Sequence, residues 1–329
     1  MNKSIGIFAP SSVVPLHELD LGVKRLQESG FPVFVHEQTY KKKGFFAGSH
    51  QERSEAFIDL VTYPGIRWIW AARGGYGSYH LIPYLEKWTK KNGIPPKKTY
   101  LGFSDSTALM EFVRKRWNWK IIHAPMPGGD SLSLMKKKSF SDLCNSLRKG
   151  IPVQTFNHKK LKPLHSFSAP LVKGKLIGGN LTVWNTLLSF SDFHKSSSNL
   201  LFFEDVGESL SRIDRVLFEI EAKTQFKGIK GIILGGFLNC NDPIASVLSE
   251  SLLKKEFPEI QKILISKKKL KPLRSQVSSL RGLKEIFSRI SDQYQIPIWM
   301  GLPVGHGVSE FNAISLGIPV FVKKNILEF

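Results

Sequence analysis

A serine suited to act as a nucleophile, Ser104, lies in the segment "GFSDST", between the apolar run "TYLGF" and an amphipathic stretch. This pattern predicts a strand, a sharp corner and a helix. At such a corner the hydroxyl rises out of the sheet, and the free N–H groups of the helix point at the same place, which suits acyl transfer. Serine and aspartate are also preferred helix caps, and Ser106 replaces the second glycine of the G-x-S-x-G motif, so a capping role for Ser104 stays open.

Backbone donors for an oxyanion are predicted in the segment "RGGYG", which follows the apolar run "IRWIWAA". The adjacent glycines, Gly74 and Gly75, leave their N–H groups unobstructed, as an oxyanion site requires, although a plain glycine-rich turn has the same sequence. The spacing fits neither G-x-x-x-x-G-K-[ST] nor G-x-G-x-x-G, which excludes the two common phosphate-binding loops.

Two of the nine histidines follow strand-like runs and lie in loops rich in glycine and proline, where a general base is expected. They are His123 in "IIHAPMPGG" and His306 in "GLPVGHG". His306 is flanked by Gly305 and Gly307, which allow the backbone to fold tightly around the ring, whereas His123 is close enough to Ser104 in sequence simply to pack beside it. The residues alone leave both histidines open. No H-E-x-x-H or C-x-x-C spacing occurs, so we predict no metal site.

A carboxylate able to orient the imidazole is expected at the end of the apolar run "LLFFE", where Glu204 is reached directly from a buried strand. Burying a carboxylate is costly unless it is paired or hydrogen-bonded, and an imidazole N–H is a suitable partner. Asp205 and Glu208 are alternative orienting acids. A salt bridge from Glu204 to Arg212 or Arg215 in the following helix is the purely structural alternative.

The elements that must position these residues alternate along the chain, with short apolar runs followed by amphipathic stretches. This rhythm predicts an α/β fold of two domains, because strands that alternate with helices form parallel sheets. We predict a parallel-sheet layer domain with the nucleophile over residues 1–150 and an α/β domain with the acid and the base over residues 173–329. The periodicity weakens into Lys- and Ser-rich sequence from Ser131 to about Val172, and residues 151–172 are predicted to be a linker.

Composition narrows the classes of function. The net charge of +20 raises nucleic acid or acidic membranes as partners, and a non-catalytic basic nucleic-acid-binding protein is one alternative reading. The lysine clusters are scattered, however, and lack interleaved stacking aromatics, so we expect no nucleic-acid partner. They lie at residues 41–43, 90–91, 136–138 and 267–269. Two cysteines form no disulfide framework, and no apolar run reaches the roughly 18 residues of a membrane span, so we expect a cytoplasmic protein without a membrane partner.

Six segments in order, "RGGYG", "GFSDST", "GGNLT", "EDVGE", "GIILGGFLNC" and "GLPVGHG", resemble the LD-carboxypeptidase family of serine peptidases over nearly the whole chain. The resemblance implies a two-domain, homodimeric enzyme that removes the terminal D-alanine from muropeptide tetrapeptides during cell-wall recycling. It implies Ser104 as the nucleophile, Glu204 as the orienting acid and His306, rather than His123, as the base. It also implies oxyanion donors at the backbone N–H groups of Gly75 and Asp105, and no cofactor.

The sequence says less about the substrate. Arg73, beside the two glycines, is a candidate to bind the terminal carboxylate of a peptide, although bracing the loop against a neighbouring acid is an equal alternative. Between about Ile260 and Leu280, "ISKKKLKPLRSQVSSL" looks like a basic insertion relative to the family pattern. Microcin-immunity members of the same family hydrolyse peptide- or aminoacyl-nucleotide amides with the same triad, so the resemblance leaves that substrate class open.

Overall fold

The computed structural model describes residues 3–156, 160–164, 171–190, 198–240 and 279–329. Its strands are β1 (Ser4–Phe8), β2 (Val33–Val35), β3 (Ile66–Ala71), β4 (Thr99–Gly102), β5 (Lys120–His123), β6 (Lys162–Pro163), β7 (Leu171–Asn180), β8 (Asn199–Val206), β9 (Ile229–Leu238), β10 (Ile298–Gly305), β11 (Ile314–Leu316), β12 (Ile318–Lys323) and β13 (Ile326–Glu328). Its α-helices are α1 (Leu16–Glu28), α2 (His50–Thr62), α3 (Ile82–Asn92), α4 (Thr107–Trp117), α5 (Asp130–Ser133), α6 (Lys137–Lys149), α7 (Leu181–Leu187), α8 (Leu210–Thr224) and α9 (Ser279–Tyr294).

The first sheet has six strands in the order β11, β5, β4, β3, β1, β2. Strands β1 to β5 are parallel, and β11 is antiparallel to β5. Both faces are covered, since neighbouring residues of β3, such as Trp68 and Ile69, belong to different apolar cores. Parallel strands buried on both faces read as nearly continuous apolar runs, which explains the sequence "IRWIWA" of β3. The parallel α/β layer predicted for the first half is confirmed.

The second sheet has seven strands in the order β13, β12, β7, β8, β9, β10, β6. Its centre, from β7 to β10, is parallel, whereas β12, β13 and β6 pair antiparallel at the edges. Helices α8 and α9 cover one face with apolar residues such as Leu217 and Phe287. The second half is therefore also an α/β layer, with Glu204 on a central strand and His306 directly after β10.

A shared core and a returning strand join the two sheets. Phe202 of β8 lies in the same apolar cluster as Leu109 of α4. After β10 the chain returns to the first sheet as β11, where the Ser315 hydroxyl accepts a hydrogen bond from the Val153 N–H at 2.8 Å. Strand β6, inside the predicted linker, pairs with β10. The domain limits stay a prediction, and the β11 residues belong to the first sheet although in sequence they lie between β10 and β12 of the second.

Helix α6 lies within the Lys- and Ser-rich sequence where the periodicity weakens after Ser131. Its buried residues Phe140, Leu143 and Leu147 recur at helical spacing. Lysines and serines make up much of the remainder, so the apolar residues of this helix form one narrow stripe.

The contact between β11 and the segment before β6 predicts a stability effect. Ser315→Ala leaves the buried Val153 N–H without its hydroxyl partner, and we expect a loss of about 1–3 kcal/mol in the free energy of unfolding. Urea unfolding measures it. The control is Ser141→Ala on the exposed face of α6, which should stay within about 0.5 kcal/mol of wild type. An equal, small effect of both substitutions would show that this contact does not hold β11 in place.

Candidate active site

Ser104 lies at a strained corner between β4 and α4. Its φ is +59°, in the left-handed region that residues other than glycine rarely adopt. The next side chain holds the corner, because Asp105 accepts hydrogen bonds from Ser11 Oγ at 2.5 Å and from the Ser78 N–H at 2.8 Å. Ser11 follows β1 and Ser78 follows β3, so loops from three strands are tied together. A left-handed residue kept in place by its surroundings has the geometry of a nucleophile elbow.

The glycine loop approaches the Ser104 hydroxyl. A Cβ added at Gly74 would stand 3.1 Å from Ser104 Oγ. At Gly75 φ is +109°, and a Cβ would stand 2.2 Å from Ser12 Oγ, which also accepts a hydrogen bond from the Tyr76 N–H at 3.3 Å. Within the described part of the chain, the Gly75 N–H donates no hydrogen bond. The Gly75 N–H is therefore available as a donor, and it lies next in sequence to Gly74, the residue that approaches Ser104.

The second sheet supplies a hydrogen-bonded carboxylate–imidazole pair. Oε2 of Glu204 accepts hydrogen bonds from Nδ1 of His306 at 2.5 Å and from the His306 backbone N–H at 3.1 Å. Two glycines permit this contact. A Cβ at Gly305 would stand 2.6 Å from Cβ of Glu204, and a Cβ at Gly236 would stand 1.8 Å from the carbonyl oxygen of His306. Close packing around the pair therefore explains glycines of the "VGHG" and "LGGF" segments.

The two groups shift each other's pKa. Burial alone raises the pKa of Glu204, but the nearby imidazoles of His306 and His123 outweigh it and lower that pKa to about 2. Burial lowers the pKa of His306, but the Glu204 carboxylate outweighs this and raises it above its ordinary value. Because an ionised carboxylate only accepts hydrogen bonds, the shared proton is assigned to Nδ1 of His306, which leaves the lone pair of the neutral ring on Nε2. A ring in this tautomer is suited to act as a base.

Phe103, the residue before Ser104, connects the Ser104 corner to the His306 imidazole. Its ring centroid lies 4.9 Å from that of His306. Glu204 and His306 are directly bonded, whereas the Ser104 hydroxyl forms no hydrogen bond with any side chain in the described ranges. Ser104 and the imidazole, which is 18% exposed, are both half-buried, so each remains partly accessible to solvent.

The other acids that the sequence suggested have different partners. Asp205 points to the opposite side of β8 and accepts hydrogen bonds from the N–H and the hydroxyl of Thr182, at 3.0 and 2.9 Å. Glu208 forms an ion pair with Arg212 at 2.8 Å. The acid that contacts the imidazole is Glu204.

Arg73 is exposed beside the glycine loop. Its Nη1 donates to the carbonyl oxygen of Val13 at 2.7 Å, which braces the loop that follows β1. The bond uses one of the five N–H groups of a guanidinium, so bracing and binding of a carboxylate are compatible roles.

Three residues that build the site were not predicted: Ser11, Ser78 and Thr107. The Thr107 hydroxyl accepts a hydrogen bond from the Asn180 N–H at 3.1 Å and so connects α4 to the end of β7. Ser11 carried a usable signal, since it lies in the loop that begins after the apolar run of β1. Ser78 and Thr107 carried none, because their roles depend on contacts between residues far apart in sequence.

Most of the basic stretch expected from Ile260 onward lies outside the described residues. In the ranges that the structure describes, no three His, Cys, Asp or Glu side chains are grouped so that they could hold a metal ion. Among the helices of those same ranges, none has the length and apolar character needed to cross a membrane.

Comparison with known proteins places both halves in one family. The family model described as the LD-carboxypeptidase N-terminal domain matches residues 5–124, and the model described as the LD-carboxypeptidase C-terminal domain matches residues 173–270. A Rickettsia conorii protein with a provisional carboxypeptidase name is 35% identical over 202 residues, which are 60% of this chain and 61% of that protein. The chain thus spans about three fifths of that relative's length.

Two further similarities extend over most of the chain. The murein tetrapeptide carboxypeptidase of Pseudomonas aeruginosa is 25% identical over 315 residues, covering 92% of this chain and 88% of that protein. A microcin C7 self-immunity protein, solved in complex with aspartyl sulfamoyl adenosine, has the same fold with a TM-score of 0.71. It is 20% identical, and the superposition covers 100% of this chain and 96% of the other.

The close packing of Gly236 against the His306 loop predicts a stability effect. In Gly236→Ala the new Cβ meets a backbone oxygen, so we expect the loop to shift and the free energy of unfolding to fall by about 1–3 kcal/mol. Gly129→Ala is the control, since the nearest atom to its Cβ is 3.8 Å away. Thermal unfolding of both variants measures the difference, and an unchanged Gly236→Ala protein would contradict the packing described here.

The depressed pKa of Glu204 predicts how stability depends on pH. The ionised form is stabilised in the folded chain, so its contribution is complete above the ordinary value of 4.5 and is lost as pH falls toward about 2. The difference in unfolding free energy between wild type and Glu204→Gln should therefore shrink by up to about 3 kcal/mol between pH 5 and pH 2.

Denaturant unfolding at each pH measures this difference. Glu55→Gln, at an exposed position of α2, is the control and should stay within about 0.5 kcal/mol of wild type throughout. A wild-type advantage over Glu204→Gln that stays constant down to pH 2 would show that Glu204 is not held ionised.

Proposed function

The chain belongs to the LD-carboxypeptidase family, and on this basis we propose that it is a serine carboxypeptidase acting on muropeptide tetrapeptides. It cuts the bond between the L-centre of the diamino acid and the terminal D-alanine. The observation that carries the proposal is the buried Glu204–His306 pair beside the strained Ser104 corner. The named activity of the Pseudomonas aeruginosa relative supports the substrate class.

In the first step, Nε2 of His306 takes the proton of the Ser104 hydroxyl while Oγ attacks the carbonyl carbon of the scissile bond. Glu204, bonded to Nδ1, stabilises the imidazolium that forms. The backbone N–H groups of Gly75 and Asp105 receive the negative charge that develops on the carbonyl oxygen. The Asp105 N–H belongs to the first turn after the corner, where helical N–H groups lack partners within the helix.

In the second step, the imidazolium gives its proton to the leaving amine, the C–N bond breaks, and D-alanine departs from an acyl-enzyme on Ser104. A water molecule then gives its proton to His306 and attacks the ester carbonyl. Collapse of this intermediate releases the shortened peptide, and the proton returns to Ser104 Oγ. Side chains of this chain carry every proton transfer.

Arg73 is assigned to the terminal carboxylate of the substrate, because its exposed guanidinium stands next to the glycine loop and is suited to bidentate binding. The proposal also includes the homodimeric state and the cytoplasmic location that the family resemblance implies. It includes no cofactor.

A serine-reactive fluorophosphonate tests the nucleophile. We expect the wild-type chain to be labelled and Ser104→Ala to remain unlabelled, with turnover lower by as much as about 10⁶. Ser141→Ala, on the exposed face of α6, is the control and should be labelled like wild type. Labelling that persists in Ser104→Ala would place the nucleophile elsewhere.

Defined substrates test the substrate class. We expect conversion of free or disaccharide-linked tetrapeptide to tripeptide plus D-alanine, followed by mass spectrometry, and none with Ser104→Ala. An aminoacyl-nucleotide amide is the comparison substrate, since the microcin C7 self-immunity protein was solved with an aspartyl sulfamoyl adenosine. Hydrolysis of this amide without any cleavage of tetrapeptide would replace the muropeptide assignment by that of an antibiotic-inactivating amidase.

A further inference from the structure

His123 is a buried titratable side chain beside the site that the mechanism above does not use. It is the last residue of β5 and is 1% exposed. Its backbone pairs with Gly102 on one side and with Ile314 on the other, so its position in the first sheet is held from both sides. The ring lies between two aromatic side chains, with centroids 5.4 Å from Phe103 and 5.2 Å from Phe202.

The polar atoms of this ring face the orienting acid across the two sheets. Nε2 of His123 lies 3.8 Å from Oε1 of Glu204, on the opposite oxygen from His306. Both ring nitrogens of His123 and Oε1 of Glu204 are buried, and none of the three has a hydrogen-bond partner among the described residues. Oε2 of the same carboxylate accepts two hydrogen bonds. One oxygen of the buried Glu204 carboxylate is therefore hydrogen-bonded, whereas the other faces an imidazole that also lacks a hydrogen-bond partner.

We propose that His123 is a positioning residue of the active site, whose Nε2–H donates a hydrogen bond to Oε1 of Glu204 in the working enzyme. This inference rests on the proposed function, because it gives Glu204 the orienting role. A movement of about 0.9 Å, within ordinary thermal displacement, brings the two atoms to hydrogen-bond distance. Atoms 3.8 Å apart leave no room for a bridging water with good angles.

The surroundings favour a proton on Nε2 of His123. A doubly protonated ring would bury its Nδ1–H with no acceptor, whereas the neutral ring with its proton on Nε2 has the donor aimed at the carboxylate and only a lone pair buried. His123 therefore acts as the donor through its Nε2–H, and His306 remains the group that exchanges protons with the substrate. Bound at both oxygens, the Glu204 carboxylate is kept from rotating away from His306.

Two substitutions separate hydrogen bonding from packing. His123→Leu removes the donor, and His123→Gln places an amide N–H near the position of Nε2. The first readout is the rate constant for fluorophosphonate labelling of Ser104. A hydrogen bond to a charged group is lost in His123→Leu, so we expect the rate to fall about 10- to 100-fold, with most of it restored in His123→Gln. His17→Leu, at an exposed position of α1, is the control and should label like wild type.

The pH profile of labelling adds a readout that packing alone does not move. In His123→Leu the charge of Glu204 is no longer shared with a second donor and holds the His306 proton more tightly, so the acid limb should shift to higher pH. The carboxylates whose charge acts on His306 are Glu204, which contacts the ring, and Asp205, which acts from the opposite side of β8. Wild-type labelling of His123→Leu, or equal impairment of the Leu and Gln variants with an unmoved acid limb, would overturn the proposal.

A measurement on the unmodified chain keeps the inference testable if the Leu variant does not fold. In ¹⁵N-histidine NMR spectra we expect His123 to be neutral with its proton on Nε2, and a proton on Nδ1 would overturn the proposal. Labelling that persists in Ser104→Ala would instead count against the proposed function, while the His123 tautomer would still report whether the contact with Glu204 exists.

Discussion

An ionised carboxylate buried in the middle of a sheet is the constraint on which the rest of this structure depends. Glu204 is fully buried on β8, and a charge in that position is stable only with hydrogen-bond donors close by. His306 supplies two, from the ring and from the backbone, and both reach the same oxygen. The energetic demand of one buried charge therefore sets where the loop after β10 must lie.

Meeting that demand requires close backbone packing that side chains would prevent. Gly305 brings the His306 segment against Glu204, and Gly236 receives the carbonyl oxygen of His306. A related arrangement joins the sheets, because a Cβ at Gly179 would stand 2.6 Å from Oγ1 of Thr107 at the start of α4. The carboxylate–imidazole pair and the strained Ser104 corner are thus held by steric fit at a few glycines and by the core that both sheets share.

Local sequence patterns predicted much of this arrangement. The apolar runs that alternate with amphipathic stretches became the two sheets, and the left-handed φ of Ser104 agrees with a corner expected from "GFSDST". The sequence left His123 and His306 as rivals because both follow strands. Their difference lies in their neighbours: His123 is enclosed between β4 and β11, whereas His306 directly follows β10 and is flanked by glycines.

Other features were beyond local patterns. A three-residue strand such as β11 has no periodicity to detect, and its return to the first sheet is decided by tertiary contacts. In α6 the buried apolar residues are separated by lysines and serines, which weakens the helical pattern in the sequence.

The most direct test of the account is a crystal structure with a boronic-acid substrate analogue. The account predicts boron bonded to Ser104 Oγ, Nε2 of His306 beside it, and a boronate oxygen about 2.7–3.1 Å from the N–H groups of Gly75 and Asp105. Boron bonded elsewhere, with the His306 imidazole turned away from Ser104, would contradict it.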